Sequence, residues 1–147
     1  MRAMAWLVVC LVVGGTLHAR AANAAQLKDP TAEELARIRE AAPDKPTVPP
    51  KTPRNVLVFS LVPTGYVHSA IPYGEAALQI IAEKTGAFSV EISDDIAVFE
   101  PESLERFDAV FFNNANNELF LPPDFAKLPD GAKEAARNRD AELKASL

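Results

Sequence analysis

Two short runs of consecutive apolar residues, Val56-Leu57-Val58-Phe59 and Ala109-Val110-Phe111-Phe112, limit the fold of this chain more than any other feature. Both are rich in β-branched or aromatic side chains, and neither alternates with polar residues. That pattern predicts strands covered on both faces, as in a parallel sheet. Parallel neighbours need a crossover connection, and the sequence after the first run supplies one. Residues 71–85 read as a helix with Pro72 tolerated in its first turn, Gly74, Ala77, Leu78 and Ile81 on one face, and Gly86 at the left-handed position that ends it. Phe88, Val90 and Ile92 then alternate with Ser89, Glu91 and Ser93, the period of an edge strand with one exposed side. Asp94-Asp95 closes that strand, and a helical turn over 101–106 leads into the second apolar run, 107–112. The expected class is α/β: a doubly wound, mainly parallel sheet with three strands and ligands bound off the carboxyl ends of the strands.

The amino-terminal region reads differently. Arg2 precedes an apolar run from Trp6 through Val13, followed by Gly14-Gly15-Thr16 and the small-residue segments Ala19-Arg20-Ala21 and Ala22-Asn23-Ala24. This is the pattern of a signal peptide over 1–24, which implies a secreted or periplasmic protein. The apolar run is broken well short of the roughly 20 residues that a transmembrane helix needs, so no stable membrane anchor is expected. Cleavage after Ala24 removes Cys10, the sole cysteine, and His18, and leaves His68 as the one histidine. Disulfides, thiolate zinc sites and a cysteine nucleophile of the glutaminase type are thereby excluded. Asp29-Pro30-Thr31 with Glu34 has capping-box spacing and predicts a helix over 32–42 with a thin apolar stripe, Leu35 and Ile38, ended by Pro43 and packing lightly or not at all. Pro43, Pro46, Pro49, Pro50 and Pro53 mark an extended linker, so 25–53 is read as helix plus spacer and 54–147 as the domain. Fifteen basic against twenty acidic residues, a net charge of -5 and no basic run argue against nucleic acid as a partner.

Three loops fall at the carboxyl ends of the strands: 60–68, 93–95 and 113–118. His68 in the first is a candidate proton donor, or a ligand to a hydroxyl group or a metal. Asp95, and less so Asp94, would hold hydroxyls or a cation, although aspartate after a strand is also an ordinary turn former. Asn113 and Asn114 offer amides that donate and accept at once, while asparagine also tolerates left-handed turns. Ser60 completes the ligand-binding set. One histidine and scattered carboxylates give no metal-ligand spacing, so no metal site is assigned. Thr64-Gly65 lacks the glycine and lysine pattern of a phosphate loop, no Gly-x-Ser-x-Gly turn exposes a serine nucleophile, and no cofactor is assigned. Gly74 is explained by helix-on-sheet packing.

The ordered series Asn-Val-Leu-Val-Phe-Ser (55–60), Gly-Tyr-Val-His-Ser-Ala-Ile (65–71), Glu-Lys-Thr-Gly-Ala-Phe (83–88), Ser-Asp-Asp (93–95) and Leu-Glu-Arg-Phe-Asp-Ala-Val-Phe-Phe-Asn (104–113) resembles the ThuA-like, trehalose-utilisation-type family. The resemblance covers 54–147. It implies a fold like the flavodoxin and class I glutamine amidotransferase domains, and a role on carbohydrate of the trehalose or oxidised-disaccharide type. His68 matches the family's histidine. Two departures accompany it: the asparagine-rich loop at 113–117, and the missing strand, glycine-rich turn and Gly-Ile-His-type motif that follow the last helix in such domains.

Residues 131–147 are helical in composition, with Ala132, Ala136, Leu143 and Leu147 on one face, and no further strand follows. An incomplete domain is therefore expected, marginally stable alone and prone to self-association through its uncovered sheet edge. Two functions are carried forward. One is an exported sugar-binding or sugar-active ThuA-like domain using a cleft with His68, Asp95 and Asn113. The alternative is a non-catalytic truncated fragment or accessory binding protein.

Overall fold

The computed structural model describes residues 27–147. The expected signal peptide over 1–24 lies outside them.

Helix α1 (Ala32–Ala41) starts where the capping box requires: the Glu34 N–H donates to Thr31 Oγ1 at 3.3 Å and the Thr31 N–H donates to Glu34 Oε2 at 2.8 Å. It buries none of its own side chains. Helix α2 (Ile71–Thr85) receives it through polar contacts. The Tyr73 hydroxyl donates to Glu34 at 2.8 Å, Arg39 pairs with Glu83 at 2.6 Å, and Lys84 Nζ donates to the carbonyls of Arg39 and Ala42 at 2.6 and 2.5 Å. Lys84 thus sits at the α1 carboxyl end, where the helix dipole favours a cation. The thin apolar stripe of α1 accounts for this light, polar docking. Residues 43–54 then run without regular helix or strand.

Strand β1 (Asn55–Phe59) pairs in parallel with β2 (Ser89–Ser93) on one side and β3 (Ala109–Phe112) on the other, giving the order β2-β1-β3. The sheet is all-parallel and α2 is the crossover from β1 to β2, as the α/β reading requires. Gly86 ends α2 with φ 61, and Pro72 lies in its first turn. β2 is an edge strand, in keeping with its alternation. Leu57, Val58 and Phe59 are fully buried because β1 has a neighbour on each side.

The second apolar run departs from expectation. It was expected to be buried on both faces, yet Phe111 and Phe112 are 46% and 41% exposed. Among the described residues β3 pairs with β1 alone, while α2 packs on β2, at the opposite edge of the sheet. Burial of a parallel strand depends on neighbours, and β3 has half of them. α2 also departs in detail: it buries Ile71, Pro72 and Ile80, and leaves Leu78 and Ile81 half-covered. It has β2 on one side and α1 on another, so its apolar residues are shared between two contacts.

A 3₁₀ turn (Ile96–Phe99) and helix α3 (Pro101–Leu104) connect β2 to β3, and helix α4 (Asp130–Ala145) closes the described chain. Leu57 and Phe59, two residues apart on one face of β1, form a core with Phe99, Phe120 and Leu143. Phe99 is its centre, edge-on to Phe59 at 4.7 Å and to Phe120 at 5.0 Å, and stacked on Phe112 at 5.9 Å. α4 contributes Leu143 alone as a buried residue; Leu147, expected on the same face, lies past the helix end and is exposed.

Candidate functional site

The chain leaves β1 for one neighbour and returns past it to the other, so the strand order reverses between β1 and β3. In open parallel sheets the carboxyl ends at such a reversal frame a crevice. The loops 60–70 and 113–118 meet there.

Asn113 holds them together. Its backbone N–H extends the ladder to the Phe59 carbonyl at 2.8 Å, and its side chain turns inward. Only 3% of the residue is exposed, and Nδ2 donates to Ser60 Oγ at 3.2 Å and to the Ile71 carbonyl at 2.9 Å. The Oδ1 atom packs on α2 where Gly74 leaves room: a Cβ there would lie 2.4 Å from it. Both amide hydrogens are therefore committed inside the fold, and Asn113 is a positioning residue for the crevice. Gly74 serves packing, as its sequence context implied, with a side chain from the β3 end as its neighbour. Ser60 is half-buried, its N–H bonded to the Ser93 carbonyl at 3.0 Å and its hydroxyl accepting from Asn113.

The asparagine run beyond is a set of left-handed turns. Asn114 has φ 54 and Asn117 φ 63, a region that asparagine tolerates better than other non-glycine residues. Asn114 is exposed, and its carbonyl accepts from Asn116 at 3.4 Å. Asn117 Nδ2 donates to the Thr64 carbonyl at 2.8 Å, a second tie between the two loops. It approaches Gly65, whose φ of 90 no other residue type adopts readily, and a Cβ on Gly65 would lie 3.0 Å from that amide nitrogen.

His68 is exposed on the same loop. Its Nδ1 accepts from the Ala70 N–H at 3.2 Å, and its carbonyl accepts from the Ile71 N–H at 3.1 Å. With Nδ1 an acceptor, the proton of the neutral ring resides on Nε2, which becomes a donor. Tyr66, which the sequence reading did not single out, stands edge-on to this ring at 5.8 Å and 88° and is 75% exposed. The signal was an aromatic two residues from His68 in a proline- and glycine-containing loop.

Ser60, His68 and Asn113 are thus linked through Ile71, and Asn114 follows directly on Asn113. Asp95 follows the carboxyl end of β2, the strand on the other side of β1 from β3, where the Ser93 carbonyl accepts from the Ser60 N–H. Its Oδ1 accepts from the Ala97 N–H at 2.9 Å, capping the 3₁₀ turn, and its own N–H donates to Ser93 Oγ at 3.1 Å. Asp95 and Ser93 line a hollow of about 290 Å³ with Glu91, Ala97, Ser103 and Arg106. A second hollow of about 480 Å³ adjoins it at the amino ends of the strands, beside Asn55, Ser89 and Phe107. His68, Ser60 and Asn113 line neither. Among the described residues, no group of three or more His, Cys, Asp or Glu side chains is arranged to hold a metal ion.

The perturbed carboxylates also lie away from the crevice. Asp108, at the amino end of β3, is held below its ordinary range by the Asn55 N–H at 2.8 Å and by Arg54 at 2.5 Å. Glu34 is lowered by the Thr31 N–H and the Tyr73 hydroxyl, and Glu83 by Arg39. Among the described residues no helix is long and apolar enough to cross a membrane. Comparison with models of known families, with curated proteins and with solved structures finds nothing that matches this chain.

Proposed function

We propose that this chain is an exported, ThuA-like domain that binds carbohydrate in the crevice between the carboxyl ends of β1 and β3. One observation carries the reading: the loops after β1 and β3 are tied by Asn113 to Ser60 and Ile71 and by Asn117 to Thr64, with His68 and Asn114 exposed beside the ties. Sugar hydroxyls both donate and accept hydrogen bonds. A histidine Nε2–H and an amide side chain match that chemistry. The resemblance of 65–71 and 104–113 to a carbohydrate-related family supports the same ligand class. His68 is the group proposed to donate a proton to the bound sugar.

Titration of the full chain with trehalose and with a keto-disaccharide, followed by calorimetry or ligand-observed NMR, tests the reading. Saturable binding that His68→Ala weakens, with the far-ultraviolet circular dichroism of the free protein unchanged, is the expected result. Absence of saturable binding to either sugar refutes it. Binding without turnover is a second reading, favoured by the commitment of both Asn113 amide hydrogens to the fold. Chemical conversion of the bound sugar by the full chain would eliminate that second reading.

A further inference from the structure

Tyr66 exposes three-quarters of its surface on the loop after β1, and the backbone around it is held from both sides. On the amino-terminal side, Gly65 at φ 90 backs onto Asn117, which donates to the Thr64 carbonyl, so the backbone entering Tyr66 is tied to the loop after β3. On the carboxyl-terminal side, His68 is fixed to the start of α2 through the Ala70 and Ile71 N–H groups, and its ring stands perpendicular to that of Tyr66 with centroids 5.8 Å apart. An exposed aromatic whose flanking backbone is already ordered loses little conformational freedom when a ligand covers it. The same ring offers a broad apolar face with a polar tip. The histidine beside it has its donor on Nε2.

We infer that Tyr66 is the specificity-determining residue of this crevice, a stacking platform that selects pyranoside rings with an apolar C–H face over acyclic polyols carrying the same hydroxyl groups. This rests on the carbohydrate reading above. A pyranose chair with axial hydrogens on one side presents a flat apolar patch to the ring while its hydroxyls reach His68 at the rim. An acyclic polyol has the hydroxyls and no such face.

The test is saturation-transfer NMR on the full chain with methyl β-glucopyranoside, trehalose and sorbitol, repeated on Tyr66→Ala and Tyr66→Phe. Because Tyr66 is largely exposed, both variants are expected to keep the wild-type melting temperature. The expected outcome is transfer concentrated on H1, H3 and H5 of the glucoside, little transfer to sorbitol, affinity weakened about tenfold in Tyr66→Ala, and affinity kept in Tyr66→Phe. Glucoside binding that is unchanged in Tyr66→Ala, or equal binding of sorbitol, overturns the inference and leaves the carbohydrate reading standing. Failure of the wild-type chain to bind any of the three sugars overturns both.

Discussion

Substituting Gly74 with alanine should destabilise the protein in the presence of Asn113 and stabilise it in its absence. Gly74 lies in the first turn of α2, and a Cβ there meets Asn113 Oδ1 at 2.4 Å, Cγ at 3.1 Å and Nδ2 at 3.2 Å. The amide cannot swing aside without breaking its bonds to Ser60 and Ile71. Those two bonds contribute about 1 kcal/mol each, and an amide left unsatisfied at a buried site costs ~1–3 kcal/mol more. Against this, replacing glycine by alanine in a helix gains up to about 1 kcal/mol. The net for Gly74→Ala is a loss of at least about 2 kcal/mol, or roughly 8 °C in Tm for a domain of this size. Asn113→Ala alone also loses about 2 kcal/mol, since the Ser60 hydroxyl is half-exposed and finds water. In the double variant the methyl group occupies space that the amide vacated, so Gly74→Ala becomes favourable by up to about 1 kcal/mol. The double variant should therefore be more stable than either single one, with a coupling energy near 3 kcal/mol. Urea denaturation of the four proteins, followed by far-ultraviolet circular dichroism, measures the cycle. Equal effects of Gly74→Ala in both backgrounds would refute the assignment of Asn113 as the pin between β3 and α2.

Acid should weaken the fold at identifiable places. Glu34, Glu83 and Asp108 are each held below the ordinary carboxylate value in the folded chain by the hydrogen bonds they accept, so the unfolded chain binds more protons there and stability rises with pH. The contribution is complete above these ordinary values and is lost as pH falls through the depressed ones. Melting temperature is expected to fall steadily below about pH 4.5, with a shallower slope in Asp108→Asn; an unchanged slope in that variant would remove Asp108 from the account. Self-association is expected through the outer edge of β3, which exposes Phe111 and Phe112 and carries no lysine or proline to block pairing. Phe111→Lys should shift a concentration-dependent sedimentation profile toward monomer, and a wild-type chain that stays monomeric at high micromolar concentration contradicts the proposal.

Much of the architecture was legible because it rests on local rules. The capping box at Thr31 and Glu34, the proline in the first turn of α2, the left-handed Gly86 and the alternation of β2 each depend on residues a few positions apart. The parallel arrangement followed from unbroken apolar runs. The candidate site was less legible. Asn113 and Ser60 were identified by type and position, but the commitment of that amide to α2 depends on Gly74, thirty-nine residues away in sequence. Tyr66 carries no such mark, because exposure and a fixed backbone leave no periodic signal in a sequence.

The sequence by itself determined which segments become the three strands and the longer helices, and that the strands run parallel, since these follow from backbone geometry and the spacing of apolar residues; the ends of β1, β3 and α3 and the 3₁₀ turn at Ile96–Phe99 were set by tertiary packing. Tertiary structure alone decided the order β2-β1-β3 and the half-burial of β3. It also decided which polar side chains at the carboxyl ends face inward and which face solvent. Burial and hydrogen-bond satisfaction are properties of neighbours in space. Asn113 and Asn114 are the same residue in succession, yet one is sealed against α2 and the other stands exposed in a left-handed turn.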